Sequence, residues 1–458
     1  MKVSLNWVKK YVDLPETLTP AQIAYDMTLR MVEVEGTEDT GAKFHDIVVG
    51  KVLEVKEHPN ADALRICIVD VGLDEPKQIV CGGKNLYAGE KVVVCKPGSE
   101  VFWHGLPELV KIKETKMRGE PSYGMICNAT EVFLDKLFPP QDDHIIVDLG
   151  DLPGEPGQNI ADALGLNDTV IEIDNKSLTN RPDLWGHYGI ARELAGIYGV
   201  PLKPLPEFKA DPSLPAFDVT IERPDKCRRF TATEIVNVYD KEAPLWMKVA
   251  LMNCGQRPIN AIVDITNYVM MDVGQPSHAY DRTHVEGDKI IVRTAKKDEK
   301  LLLLDHNTID LTEEDLVICD ANDAMNLAGI RGGAKDSSCR KPPASFWKLP
   351  TSRPRQSVIP EPGSTKRPTP PSGMKRTWIP SGSTRAWLSA CSCSGRSSRS
   401  AGLRRLRTST RSRPNRNISM SPRNSWMSAW ARCSAVRRSK RCSPASAMKS
   451  NLITVPTM

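Results

Sequence analysis

An abrupt change in composition after Ser337 divides the chain and limits what each part can fold into. Residues 1–337 contain 37 Lys and Arg against 55 Asp and Glu, a net charge of −18. Residues 338–458 contain 25 Lys and Arg, 25 Ser and a single acidic residue, Glu361, a net charge of +24. This basic segment has no sustained helix or strand period and little apolar surface to bury against its chain entropy. We therefore expect residues 338–458 to be a disordered tail.

Two interpretations of the basic tail stay open. As evolved protein, an Arg/Ser-rich arm of this charge is typical of an RNA-binding segment. Alternatively, the tail is translated from a shifted reading frame. The codons of Trp347 and Lys348 must give a Glu in the displaced frame, and the codons of residues 338–355 permit LPETASVILEAANFEAT there. Because that sequence again has acidic and apolar residues, we favour a one-nucleotide deletion near codon 338.

The part before the tail begins with a small α/β domain in two pieces, which we predict at residues 1–40 and 151–205. Thr19 and Pro20 are typical of a helix start, the first as the cap and the second as the first helical residue. A second helix is predicted from Leu184 to Tyr198, where apolar residues recur on one stripe.

Residues 41–150 are rich in short β-branched runs with turns between them. These runs are 47–55, 64–72, 78–83 and 91–98. Closely spaced strands without intervening helices are typical of a small closed barrel. We predict an OB-fold β-barrel inserted between the two pieces of the first domain.

Residues 206–337 are predicted to form a further α+β domain, cut off where the composition changes. Its predicted strands are 217–221, 230–236, 290–295 and 316–320, and its predicted helix is 245–254. The chain as a whole is thus predicted to be an α+β multidomain protein with a disordered tail.

Common catalytic signatures are missing from the sequence. There is no phosphate-binding loop, dinucleotide fingerprint, zinc motif or nucleophile elbow, and the Gly-rich 81–84 has the wrong spacing for a phosphate loop. The 12 Cys contain no CxxC pair, which fits a reducing cytoplasm better than a disulfide framework. No apolar run approaches the roughly 20 residues of a membrane span. We expect a cytoplasmic protein with no metal site, no cofactor of its own and no membrane partner.

Two groups of polar residues are candidates for function. In the predicted barrel, Lys111, Lys113, Lys116 and Arg118 form a basic group that could follow a phosphate backbone, together with Asn60 from the polar turn 58–62. The alternative is an ordinary solvated strand face, and the acidic balance of residues 1–337 weakens any expectation of strong nucleic-acid binding.

The second group lies in the predicted third domain. Asn260, Asp264, Thr266 and His278 stand among apolar residues, and Ala328 belongs to the Gly-rich run 327–334. So many polar residues of a buried type need a hydrogen-bond network, and that network is either purely structural or the lining of a pocket for a polar ligand.

Taken in chain order, these segments resemble the beta subunit of bacterial phenylalanine–tRNA ligase. The resemblance rests on MKVSLNWVKKYVDLP, on VGKVLEVKEHPNADALRICIVDVG through KMRGEPSYGMICNATE, on NRPDLWGHYGIARELAGIYG, on RPINAIVDITNYVMMDVGQPSHAYD and on LAGIRGG. It covers about residues 1–337. It implies an OB-fold tRNA-binding domain, an editing domain and an alpha subunit partner in an alpha/beta heterotetramer, with ATP, Mg²⁺ and phenylalanine activation on the alpha subunit.

The resemblance also implies roles for individual residues in hydrolysing Tyr-tRNA(Phe). Thr266 and His278 match positions that contact polar groups of the substrate, and Ala328 leaves room beside the tyrosyl ring. A carboxylate from a segment like VILEAANF recognises the tyrosine hydroxyl in the family, but this chain has Lys348 there, and Arg331 replaces a usually apolar residue. We therefore expect this chain to be inactive in editing. The alternative is a non-enzymatic tRNA-binding OB-fold protein.

Overall fold

The computed structural model describes residues 1–103, 108–207, 217–236, 242–304, 306–334, 344–352 and 407–409. The α-helices are α1 Leu5–Val8, α2 Pro20–Arg30, α3 Ile160–Leu164, α4 His187–Tyr198, α5 Leu245–Asn253 and α6 Ala261–Val273. The strands as far as residue 126 are β1 Lys2–Ser4, β2 Val34–Asp39, β3 Ile47–Glu57, β4 Arg65–Asp70, β5 Lys77–Cys81, β6 Lys91–Cys95, β7 Glu100–Phe102, β8 Leu109–Lys111, β9 Thr115–Met117, β10 Glu120–Ser122 and β11 Met125–Ile126. The later strands are β12 Thr169–Ile173, β13 Asp218–Ile221, β14 Cys227–Val236, β15 His278–Asp281, β16 Lys289–Thr294, β17 Lys300–Leu302, β18 Thr308–Asp310, β19 Leu316–Cys319, β20 Ala324–Leu327, β21 Arg331–Gly332, β22 Ala344–Ser352 and β23 Arg407–Ser409.

The first domain is a three-stranded antiparallel sheet, in the order β1-β12-β2, with α1, α2 and α4 packed against it. Strands from residues 2–4 and 169–173 pair directly, so the domain is built from two separate pieces of chain. The predicted start of α2 is confirmed, because Thr19 accepts a hydrogen bond from the backbone N–H of Gln22 and Pro20 is the first helical residue.

The predicted helix from Leu184 begins later than expected. Pro182–Leu184 forms a 3₁₀ turn, and α4 starts at His187 after an extended Gly186. A Cβ on Gly186 would lie 2.3 Å from the backbone nitrogen of Gly274. The extended backbone at Gly186 therefore lies directly against the C-terminal end of α6, and the helix begins only after this contact. The predicted end is confirmed, since Gly199 ends α4 in the left-handed conformation.

The β-rich segment forms a five-stranded antiparallel sheet in the order β11-β6-β3-β4-β5. The curled sheet closes beside β5, where Tyr123 donates its N–H to the Gln78 carbonyl oxygen and Val80 donates its N–H to the Ser122 hydroxyl. This is the OB-like barrel that the sequence predicts. The pairs β7–β8 and β9–β10 are separate two-stranded sheets, and β10 lies against β5.

The third domain is layered. One sheet has the order β13-β16-β19-β20-β21 and the other has the order β15-β22-β14-β23. Apolar residues from both sheets, including Phe230, Tyr280 and Ile318, share one core between them. The opposite face of the second sheet is covered by α5 and α6, which pack on Ile235 and Ala279.

The basic tail contributes two strands to this second sheet. The backbone of β22 pairs with both β14 and β15, and β23 pairs with β14. The prediction of a disordered tail is therefore not confirmed, and the rest of 338–458 lies outside the described residues.

Candidate functional site

Basic residues of the barrel lie on and between the strand pairs β7–β8 and β9–β10. Lys111 ends β8, Lys113 follows it, Lys116 is in β9 and Arg118 is in the turn between β9 and β10. All four are exposed. The structure thus brings the predicted basic group to one pair of neighbouring hairpins, on the solvent side of the barrel.

The polar turn after β3 positions the β9–β10 hairpin. His58 is 5% exposed, and its Nδ1 accepts a hydrogen bond of 3.1 Å from the Asn60 backbone N–H. Its Nε2 therefore carries the proton and donates to the Met117 carbonyl oxygen at 3.1 Å. Asn60 Nδ2 donates to the Arg118 carbonyl oxygen at 3.0 Å. The turn is unusually polar because it fixes a hairpin that is distant in sequence.

Asn60 is thus next to the basic group, but its amide nitrogen is used to hold Arg118. Arg118 itself has φ of +52° and is followed by Gly119 at φ +102°. A non-glycine residue in this conformation is uncommon and needs support from its surroundings. The Asn60 side chain supplies that support, so its place beside the basic group is explained without contact with RNA.

The N-terminal end of α6 is built by two of the predicted pocket residues. Asn260 caps the helix, and its Oδ1 accepts from the Val263 N–H at 2.9 Å. Asp264 is fully buried, and its Oδ1 accepts from the Ile259 N–H at 2.8 Å. Desolvation by burial raises the pKa of Asp264 to about 6, the largest of several influences on this group. Both side chains accept hydrogen bonds from backbone N–H groups at the start of α6 and so stabilise that end of the helix.

Thr266 lies two residues after Asp264 in α6 and is half-buried. Its hydroxyl donates to the Val263 carbonyl oxygen at 2.6 Å. This bond uses the hydroxyl hydrogen, so the oxygen can act toward a ligand only as an acceptor.

His278 and Ala328 lie on the other side of β15 from α6. The His278 ring packs on the Tyr280 ring at 4.7 Å, and Tyr280 is completely buried. The Tyr280 hydroxyl accepts from Asn326 Nδ2 at 2.5 Å, and Asn326 Oδ1 accepts from the Gly333 N–H at 2.6 Å. These bonds tie the Gly-rich run to β15.

The Gly-rich run approaches His278 closely. A Cβ on Gly332 would lie 3.0 Å from His278 Cε1 and 2.9 Å from Leu304 Cδ1. Ala328 is 2% exposed and shares the core of Tyr280. The structure therefore brings His278 and the loop of Ala328 together, whereas Asn260, Asp264 and Thr266 are on the helix behind the sheet.

Strand β22 brings the residue after Trp347 next to His278. In its antiparallel pairing with β15, residue 348 is the Cα partner of His278, and residue 347 is the partner of Ala279. On its other side residue 348 pairs with Ala232. Residue 348 is also the position where the displaced reading frame must encode Glu.

Sequence reasoning missed a buried contact between the first domain and α6. Trp7 stacks between the rings of His187, at 4.2 Å, and Tyr268, at 4.1 Å. Trp7 Nε1 donates to Asp272 Oδ1 at 2.8 Å, and the Tyr11 hydroxyl also donates to this carboxylate. Aromatic residues beside Lys in NWVKKY were a signal, but their partner about 260 residues away has no local sequence sign.

His187 completes this contact. Its Nε2 accepts from the Ser4 N–H at 3.0 Å, so Nδ1 carries the proton and donates to the Met271 carbonyl oxygen at 2.7 Å. Burial lowers the pKa of His187 to about 4. The neutral ring joins three segments, and the helix that carries Thr266 is held from its C-terminal end by the first domain.

The described residues show neither a cluster of metal ligands nor a helix of membrane length. These residues contain no group of three or more His, Cys, Asp or Glu side chains placed to hold a metal ion. None of their helices combines the length and the apolar composition that a membrane span requires.

Two protein-family models match this chain, one over the barrel and one over the third domain. A family model described as "Putative tRNA binding domain" matches residues 47–151, and one described as "B3/4 domain" matches residues 226–341. The phenylalanine–tRNA ligase beta subunit of Oceanobacillus iheyensis is 39% identical over 340 residues, 73% of this chain and 41% of that protein. Those of Anaeromyxobacter dehalogenans and Geobacillus kaustophilus are 37% and 40% identical over 73% of this chain and 40% and 41% of their own lengths. The chain spans about two fifths of the length of the curated relatives it matches.

Proposed function

Because this chain belongs, over its matched part, to the family of phenylalanine–tRNA ligase beta subunits, we propose that it derives from such a subunit and retains tRNA binding through its barrel. The observation that carries this proposal is the basic hairpin pair on an OB-like barrel within the matched tRNA-binding domain. In the complete enzyme the alpha subunit is the partner, tRNA(Phe) is the RNA, and ATP and Mg²⁺ serve phenylalanine activation on the alpha subunit. No cofactor is proposed for this chain.

The tRNA proposal has a direct test. Replacing Lys111, Lys113, Lys116 and Arg118 with Gln should weaken tRNA binding and reduce the dependence of log K on log salt by about 0.7–0.9 for each phosphate that is no longer neutralised. The matched control removes four positive charges from the third domain, at Lys289, Lys296, Lys297 and Lys300. Equal weakening by both variants would show that net charge, and not the hairpin surface, drives binding.

For the third domain, we propose a disabled editing site for Tyr-tRNA(Phe). The ring of His278, beside the Gly-rich run that carries Ala328, would receive the tyrosyl group, and a carboxylate at residue 348 would accept its hydroxyl hydrogen. Thr266 is on the helix side of the sheet and is not part of this proposal. Phenylalanine lacks that hydroxyl, so a carboxylate would remain unpaired, which is how a second site discriminates against the smaller substrate. The register of β22 supports the proposal, because it sets residue 348 directly beside His278.

The shifted frame explains why the site is disabled. One base restored before codon 338 places a glutamate at position 348, where this chain has Lys. A lysine cannot accept a hydrogen bond from the tyrosine hydroxyl. We therefore propose that this chain does not edit, and that the restored chain does.

Hydrolysis of Tyr-tRNA(Phe) tests this pair of statements. The frame-restored protein should deacylate Tyr-tRNA(Phe), and the present chain should not. Replacing the glutamate of the restored protein at position 348 with glutamine should reduce its preference for Tyr over Phe by about 10²-fold. Hydrolysis by the present chain at the restored rate would refute the role of residue 348. The tRNA-binding proposal would survive that result, since its residues lie in another domain.

A further inference from the structure

A cavity of about 430 Å³ lies where the first domain, the barrel and α5 meet. Its volume falls in the range of sites for small ligands. Its lining includes none of the four basic hairpin residues and neither His278 nor Ala328, although Phe102 belongs to β7. Its walls are Lys2, Glu38, Thr40, Lys43, Phe102, Thr130, Phe133, Asp135, Lys136, Met252, Asn253 and Gly255.

Three of the five charged residues that line this cavity are lysines. Lys2 is neutralised by Glu38, whose Oε2 lies 3.3 Å from its Nζ. Within the described part of the chain, neither Lys43 nor Lys136 has a carboxylate oxygen within 4.0 Å of its amine. Two lysines that face one cavity without a paired carboxylate repel each other, and an anion between them would remove that repulsion.

The ammonium group of Lys43 is destabilised by its surroundings. Desolvation, the largest influence, lowers its pKa; Glu38 and Asp135 oppose this effect, and the charges of Lys136 and Lys2 add to it. Its Nζ lies 5.4 Å from the ring centre of Phe44 and 5.5 Å from that of Phe133. Lys43 is an exposed residue, and its ammonium group lies over the two aromatic rings.

Aromatic rings form a part of the wall next to Lys43. The Phe102 and Phe133 rings lie 4.9 Å apart at an angle of 62°. Phe133 has φ of +60°, a conformation that is a genuine outlier for a bulky residue and that clusters at ligand sites. This unfavourable backbone conformation places the Phe133 ring in the wall of the cavity.

We propose that this cavity binds a phosphorylated nucleotide, either free or at the end of an RNA, with its phosphate beside Lys43 and Lys136 and its base against Phe102 and Phe133. Amines neutralise phosphate, and a base has a flat apolar face that packs on aromatic rings. Glu38 and Asp135 can accept hydrogen bonds from ribose hydroxyls. The site shares no residue with the proposed tRNA surface or with the proposed editing site.

Titration of the full chain with AMP, followed by calorimetry, tests the proposal. We expect measurable AMP binding, at least tenfold weaker in the Lys43→Gln/Lys136→Gln double variant and unchanged in the matched Lys51→Gln/Lys297→Gln double variant. Failure to bind AMP at millimolar concentration, or equal weakening in both double variants, would overturn the proposal.

Two further probes separate the parts of the ligand. Phe102→Leu should weaken AMP binding at least threefold without changing the affinity for inorganic phosphate. Phosphate binding as tightly as AMP in the unmodified chain would overturn the role of the phenylalanines. A 5′-phosphorylated trinucleotide that binds more tightly than AMP, with the same dependence on Lys43 and Lys136, would support an RNA end as the source, and equal affinities would support the free nucleotide.

Discussion

The barrel and the third domain differ in where their strand partners come from. Every strand of the five-stranded barrel sheet lies between residues 47 and 126, and the sheet closes on itself. The second sheet of the third domain instead needs β22, which comes from beyond the composition change, and its helices are held by Trp7 and His187 of the first domain. The barrel should therefore fold whatever sequence follows residue 337. The third domain should not, because its second sheet needs a strand from that sequence and its helices need contacts from the first domain.

The largest effect should come from Trp7. Trp7→Ala removes a buried ring and two stacking contacts and leaves the Asp272 carboxylate with less pairing, so we expect a decrease of about 3–5 kcal/mol in the free energy of unfolding. Denaturant unfolding measures the decrease, and amide exchange locates it. Protection should fall in α6 and not in β3. Trp7→Phe, which keeps an aromatic ring, is the control. An equal fall in protection in β3 would contradict the comparison.

His187 should make the stability of this contact depend on pH. Its folded pKa of about 4 is below the ordinary value of 6.5, so the unfolded chain takes up the proton first as pH falls. The stabilising contribution of the neutral ring is complete above pH 6.5 and disappears toward pH 4, by about 3 kcal/mol.

The check is the difference in unfolding free energy between the unmodified chain and His187→Gln. This difference should be larger at about pH 8 than at about pH 4.5, on either side of the ordinary histidine pKa. Buried Asp264, with a raised pKa, contributes the opposite slope in this range, but it is present in both proteins and cancels. A difference that stays constant with pH would show that the ring is not held neutral.

Pro350 should weaken the pairing of β22 with β14. It pairs with Phe230 of β14, and proline has no N–H to give to a sheet. The displaced frame permits Ala at this position. Pro350→Ala should strengthen the β14–β22 pairing by about 1 kcal/mol and raise amide protection in β14. Pro354→Ala, just beyond β22, should not. Identical protection in the two variants would remove the argument for a mismatched strand.

The smallest effect should be local to the barrel. Asn60→Ala removes the hydrogen bond to the Arg118 carbonyl oxygen and should cost about 1 kcal/mol. The hairpin should exchange faster while the exchange of β4 stays the same, and tRNA affinity should fall a few-fold. Asn322→Ala, in the third domain, is a control for removal of an exposed amide. A fall in tRNA affinity without faster hairpin exchange would indicate direct contact between Asn60 and RNA.

Local patterns predicted the elements of this protein well. The start of α2, the end of α4 and the main barrel strands follow from caps, glycines and β-branched runs within a few residues. The start of α4 was predicted too early, because it depends on the close contact between Gly186 and Gly274, which is distant in sequence. Helix ends and strands are determined by neighbouring residues and can be predicted from them. A contact between residues distant in sequence leaves no such local pattern.

The candidate site divides in the same way. Residue types singled out Asn260, Asp264, Thr266 and His278, but only the structure shows that the first two shape a helix end while His278 faces the Gly-rich run. It also shows that residue 348, found through codon arithmetic alone, pairs with His278. Their roles in editing stay a prediction.

The nucleotide sequence from codon 330 to codon 458 tests the central claim most directly. If the segment after Ser337 is out of frame, the frame displaced by one base must stay open through this stretch and encode a sequence with ordinary acidic content, including a glutamate at position 348. Stop codons in the displaced frame soon after codon 338 would contradict the account and would make the basic tail a genuine product of its own reading frame.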